Sequence, residues 1–99
     1  MAYEMLVGLQ VIDDATYVRY REAMAPILER YGGGFRYDFK IGEVLRKETA
    51  SPINRVFTIH FRDRRSRDGF FSDPDYQKAK RQFFESSVSA TTILAEYER

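Results

Sequence analysis

The stretch "INRVFTIHF", residues 53 to 61, contains the only histidine of the chain. An unperturbed imidazole titrates near pH ~6.5, so His60 is the first candidate for a general acid or base. Asp38, expected on the neighbouring strand, is its candidate partner. Arg55 opens the same stretch, and its guanidinium can hold a substrate carboxylate through two parallel hydrogen bonds. Tyr20, Tyr37 and Phe61 belong to an aromatic set that can wall a pocket for a flat hydrophobic molecule, with a tyrosine hydroxyl orienting a polar edge. Each group also has an ordinary reading. His60 can be a hydrogen-bonded residue at a subunit seam. The rings can be plain core. Arg55 can pair with Glu43 or Asp38 and fix a hairpin.

Composition removes several kinds of chemistry. There is no cysteine among the 99 residues, hence no disulfide, thiolate nucleophile or cysteine-based zinc site. One histidine cannot make a multi-histidine metal site within one chain. No nucleotide or flavin motif is present, so neither a metal nor a cofactor is expected. With 16 basic and 15 acidic residues the formal net charge is +1, too little for a field that gathers nucleic acid or an anionic membrane. Arg62, Arg64, Arg65 and Arg67 crowd one segment, and with so little net charge they read as a solvated surface. The start "MAYEMLVGLQVIDD" lacks a basic leader, and its apolar run is too short to cross a bilayer. A cytoplasmic protein is expected.

These residues need elements to position them. A length of 99 residues predicts one domain, residues 1–99. Aromatic residues make up 15% of it, which argues for a packed globule. A first strand spans Tyr3 to Ile12. Asp13 caps the helix that follows, whose inward stripe is Tyr17, Tyr20, Met24, Ile27, Leu28 and Tyr31. Pro26 should bend this helix near Glu22, and Gly32 to Gly34 should end it. Phe35, Tyr37, Phe39 and Ile41 alternate with Arg36, Asp38 and Lys40, the period of a half-buried strand. Gly42 marks a bulge, the connection runs from Arg46 to Pro52, and "INRVFTIHF" is the third strand. Asp63 caps a short helix carrying Phe70 and Phe71. Asp73-Pro74 starts another with Tyr76, Ala79 and Phe83 inward. "SVSATTILAEYE" closes the chain as a fourth strand.

The order β-α-β-β-α-β predicts an α+β fold, a ferredoxin-like antiparallel sheet with parallel central strands and helices on one face. Strict alternation puts Met5, Val7, Leu9, Val11, Phe35, Tyr37, Phe39, Phe57, Ile59 and Phe61 under the helices. The other face then carries Leu6, Gly8, Gln10, Arg36, Asp38, Val56, Thr58 and His60. A mixed face of this kind usually meets a partner. Two such faces would close a dimeric barrel, so a homodimer is expected.

The residues "DDATYVRYREAMAPILERYGGGF", "GEVL", "NRVFTIHF" and "FFSDPDYQKAK" give the chain a resemblance, over nearly its whole length, to the DUF1330 family of the dimeric α/β-barrel superfamily. The most specific part is the spacing of thirteen residues from Phe61 to Pro74 and fifteen to Tyr76. Asp73 and Asp75 stand where the family has serine and glutamate. Arg55 matches a family arginine; His60 stands where relatives usually have glutamate, and "RDRRSRDG" departs from the family pattern. The resemblance implies a ferredoxin-like homodimer whose ligand lies between sheet and helices. The wider superfamily includes cofactor-free monooxygenases acting on phenols, lactone isomerases and haem-binding enzymes. The expected function is binding of a small hydrophobic or phenolic molecule, with oxygenase- or isomerase-like proton abstraction as its enzymatic form. The alternative is a non-catalytic dimeric module. An RNA-recognition reading shares the element order and, loosely, Arg55, Phe57 and Phe61, but lacks the glycines of the RNA-binding motif.

Overall fold

The computed structural model describes residues 1–99. The elements run β1 (Tyr3–Val11), α1 (Asp14–Arg30), β2 (Gly34–Lys40), β3 (Arg55–Phe61), α2 (Arg64–Ser72), α3 (Pro74–Ala79), a π-helical turn (Lys80–Phe84), α4 (Glu85–Ser87) and β4 (Val88–Glu98). The sheet has the order β2-β3-β1-β4. All its neighbours are antiparallel, including the central β1–β3 pair, which corrects the parallel centre expected from the element order. No helix is long and apolar enough to cross a membrane.

Aspartates start the helices. Asp13 accepts the Thr16 N–H at 3.1 Å, Asp63 accepts that of Ser66 at 2.7 Å, and Asp73 accepts that of Asp75 at 2.8 Å. Each satisfies a donor that the first helical turn leaves free. Pro26 lies within α1, which runs on to Arg30. Pro26 and Glu22 are both exposed, so water can serve the carbonyl that proline leaves without a donor. At the other end of α1, Gly32 adopts φ +67°, the left-handed conformation that glycine takes without penalty. A Cβ on Gly33 would come within 2.5 Å of the His60 carbonyl oxygen, so this glycine allows β3 to approach the turn.

The core lies between sheet and helices. Met5, Val7, Leu9 and Val11 of β1 and Phe57, Ile59 and Phe61 of β3 are buried there with Tyr17, Tyr20, Met24 and Leu28 of α1. Burying a side chain as large as Leu28 or Met24 contributes roughly 1.5–3 kcal/mol. Phe70 is fully buried and anchors α2 against Phe61, with ring centroids 5.6 Å apart.

Strand β2 departs from alternation. Phe35 pairs with Ile59, but Tyr37 pairs with Thr58, because a bulge intervenes. Phe35 therefore packs on Phe57, while Tyr37 and Phe39 turn to the open face, 55% and 53% exposed. Asp38, pairing with Phe57, turns to the helix side. The expected placement of Tyr37, Phe39 and Asp38 is thereby reversed, since one extra residue shifts every later side chain to the opposite face. The bulge is at Arg36 rather than Gly42. Strand β2 ends at Lys40, so the connection to Arg55 is longer than expected. Asn54 closes that connection: its side chain accepts the Val11 N–H at 2.7 Å and donates to the Val11 carbonyl at 2.8 Å.

Candidate functional site

Between the sheet and the helices is a half-open cavity of about 260 Å³, lined mostly by hydrophobic side chains. Val7, Leu9, Phe57 and Ile59 form its floor, because helix-side parity on β1 and β3 supplies only apolar groups there. Tyr17, Tyr20, Met24 and Arg21 of α1 line it from above, joined by Tyr76, Lys80 and Phe84. Thr91 and Ile93 of β4 are the exposed members of the wall and mark its open side. The π-helical turn brings Lys80 and Phe84 into the wall. Its extra residue shows in the Glu85 N–H, which donates to the Lys80 carbonyl five residues back.

The polar groups of the wall are few. Tyr20 and Tyr76 share a buried hydrogen bond of 2.9 Å between their hydroxyls. Burial, reinforced by the Tyr76 hydroxyl, pushes the Tyr20 phenol well above its ordinary pKa. Burial likewise raises Tyr17, against the opposing charge of Arg21. Arg21 Nε donates to the Tyr17 hydroxyl at 2.8 Å, and its guanidinium lies 3.9 Å from the centroid of Phe35 and 4.8 Å from that of Phe57. The faces of the rings are electronegative, so they stabilise a cation at this range.

Asp38 links this arginine to the strands. It accepts two hydrogen bonds from Arg55, at 2.8 and 2.9 Å, and pairs with Arg21 at 3.2 Å. Burial works to raise its carboxyl, but Arg55 and Arg21 outweigh it and hold the pKa below the usual value. Arg55 thus takes the ion-pair role with Asp38 rather than a free substrate-binding one.

A second polar cluster lies on the open face. Glu4 is 1% exposed, within a strand that otherwise reads as apolar. It accepts from Arg36 Nε at 2.7 Å, from Arg99 at 3.1 Å and from the Tyr97 hydroxyl. Burial pushes its carboxyl up; hydrogen bonds from Tyr97, Arg36 and Arg99 prevail and lower it. His60 lies directly across β1–β3 from Glu4. Burial, then the nearby Arg36 cation, lowers the imidazole pKa, with Glu4 pulling the other way.

The candidate residues therefore separate. Tyr20 lines the cavity. Phe61 is fully buried in the core below α2 and does not line it. Tyr37 stands on the open face, and Arg55 lies on the helix side against Tyr17, its Cζ 5.2 Å from the ring centroid. His60 and Asp38 lie on opposite faces and cannot act as a pair, because the β2 bulge turned Asp38 over. Phe57 and Phe61 face the helices, away from the open sheet surface on which RNA bases would stack. The arginine cluster is also divided. Arg67 binds Glu96 at 2.7 Å and packs over Tyr3, so it is a structural tie rather than solvated surface. Among the residues missed, Arg21 and Lys80 carry a helical-spacing signal, since each lies one helical turn from a buried tyrosine, Tyr17 and Tyr76. Glu4 carried none, its partners being remote in sequence.

The architecture is that of a ferredoxin-like α+β chain with an apolar cavity between its two layers. The chain belongs to the DUF1330 family, a domain of unknown function whose model matches residues 2–97. No curated protein matches it. Among solved structures it is similar to a protein of unknown function from Rhodopseudomonas palustris, at 17% identity and a TM-score of 0.80, over 99% of this chain and 82% of that one. A dimeric ferredoxin-like protein of unknown function from Jannaschia sp. CCS1 aligns over the whole of both chains, at 17% identity and a TM-score of 0.59. A putative antibiotic biosynthesis monooxygenase from Nitrosomonas europaea has 14% identity and a TM-score of 0.57, covering 99% of this chain and 89% of that one. At such identities the likeness is one of fold.

Proposed function

We propose that this protein binds a small, flat hydrophobic molecule in the cavity between its sheet and its helices. The observation that carries this reading is the wall itself: apolar floor, aromatic roof, a few polar groups and an open side at Thr91 and Ile93. Binding ranks above catalysis because no carboxylate or imidazole lines the cavity. An oxygenase- or isomerase-like activity, of the kind the Nitrosomonas neighbour's name suggests, would need a base other than His60 or Asp38. The test is titration with N-phenyl-1-naphthylamine, a neutral dye that fluoresces in apolar surroundings. Saturable binding at one dye per chain, lost in Thr91→Trp, is the expected result. Absence of saturable binding to the unmodified protein would overturn the reading.

A second reading concerns assembly. The open face carries the stacked pair Tyr37 and Phe39, centroids 6.0 Å apart, together with exposed Leu94 and Tyr97. Exposed apolar area of this kind favours a partner surface. The Jannaschia neighbour, described as dimeric, supports a second copy as that partner. The chain is therefore read as a homodimer joined through its open face. Light scattering over a hundredfold dilution tests it; a monomer throughout would refute it.

A further inference from the structure

Lys80 is the cavity's uncommitted cation. Arg21, the other cation of the wall, divides its guanidinium between Tyr17 and Asp38. Lys80 is partly buried and makes no ion pair. A second donor is also uncommitted. Tyr20 and Tyr76 have two hydroxyl protons but share one hydrogen bond, and neither hydroxyl bonds to anything else except this partner. One proton of the pair is left without an acceptor, although the two residues are 5% and 4% exposed. A buried hydroxyl proton usually has an acceptor.

These two donors share a helix face. Lys80 follows Tyr76 by four residues, and the Lys80 N–H donates to the Tyr76 carbonyl, so the turn between them is helical. Side chains at this spacing lie one above the other, with Cβ atoms about 5–6 Å apart. Both line the same cavity, whose wall contains no acidic side chain to compete for them. An ammonium at the edge of apolar surroundings attracts an anion more strongly than it would in water.

Building on the binding role argued above, we propose that the ligand is an organic monoanion. Its carboxylate sits against Lys80 and the free hydroxyl proton of the Tyr20–Tyr76 pair, and its one- or two-ring body fills the apolar cavity. Size agrees with this: a dry cavity of about 150 Å³ accepts benzene, and the present one is about 260 Å³.

The experiment compares 2-naphthoate with its neutral amide, 2-naphthamide, by calorimetry. The carboxylate should bind at least tenfold more tightly. Lys80→Met should abolish that preference while leaving the amide's affinity unchanged, which also reports that the variant is folded. Raising the salt concentration should weaken the carboxylate alone. Equal affinity for the two compounds would overturn the anion assignment and leave the cavity reading in place. Failure of both compounds to bind would overturn the two together.

Discussion

Phe35 and Tyr37 lie two residues apart on β2 and on opposite faces of the sheet. The Phe35 ring meets Phe57 edge-on at 5.5 Å, while Tyr37 stacks on Phe39 over the open surface. The bulge between them exposes two rings that regular pleating would have buried. If that surface joins two copies, charge placed there should separate them. Tyr37→Asp combined with Phe39→Asp should give a folded monomer by light scattering with an unchanged far-ultraviolet spectrum. A variant dimer would assign the interface elsewhere.

Gly33→Ala should be strongly destabilising. Its methyl group would lie 2.5 Å from both the His60 carbonyl oxygen and Leu28 Cδ1. A backbone atom cannot yield as a flexible side chain does, so a loss of about 3 kcal/mol is expected from forced overpacking. Urea denaturation measures it. Gly42→Ala, where an added Cβ meets nothing within 4 Å, is the control and should be close to neutral.

Glu4 makes stability depend on acidity. Its native pKa is held below the reference value of 4.5, so between the two values the unfolded chain binds more protons. Its contribution is then fully present above pH 4.5 and lost as pH falls through the lower native value. Glu4→Gln should flatten the stability profile in that range and lower stability at neutral pH by about 1–3 kcal/mol, the usual cost of disrupting a buried charged hydrogen-bond set. Chemical denaturation from pH 7 to pH 3 reads both effects.

His60 acts in a higher window with the same sign. Its native pKa lies below the reference value of 6.5, so falling pH favours the unfolded chain from pH 6.5 down to that native value, and no further. No other side chain has its reference value in this range. His60→Gln should therefore remove the loss of stability between pH 7 and the native value, seen as a pH-independent melting temperature there. An unchanged slope would mean that the imidazole is not desolvated in solution.

Much of the frame was legible in the residues. Asp13, Asp63 and Asp73 precede helices with the caps their side chains favour, and alternation on β1 and β3 sorted Leu9 and Phe57 from Gly8 and Thr58 correctly. Family resemblance supplied the fold. What failed was parity beyond Arg36, because a bulge depends on the pairing of β2 with β3 rather than on local residue types. That single shift moved Asp38 from His60 to Arg55 and Arg21, and moved Tyr37 out of the candidate pocket. Glu4 was hidden for a related reason: its burial depends on Arg36, Tyr97 and Arg99, which only tertiary structure assembles. Lys80 was obscured by the π-helical turn, for which local periodicity gives no signal.

That turn has a consequence for how the cavity can change. Each residue of an α-helix advances by about 100° around its axis, and a π turn accommodates one residue more than an α turn. Deleting one residue within Lys80–Phe84 would therefore rotate everything after it relative to α3. Phe84, now 4.9 Å from Tyr20 between ring centroids, would swing out of the wall. The width of this binding space is thus encoded partly as a residue count. A one-residue deletion could remodel it in a way that no single side-chain replacement would reproduce.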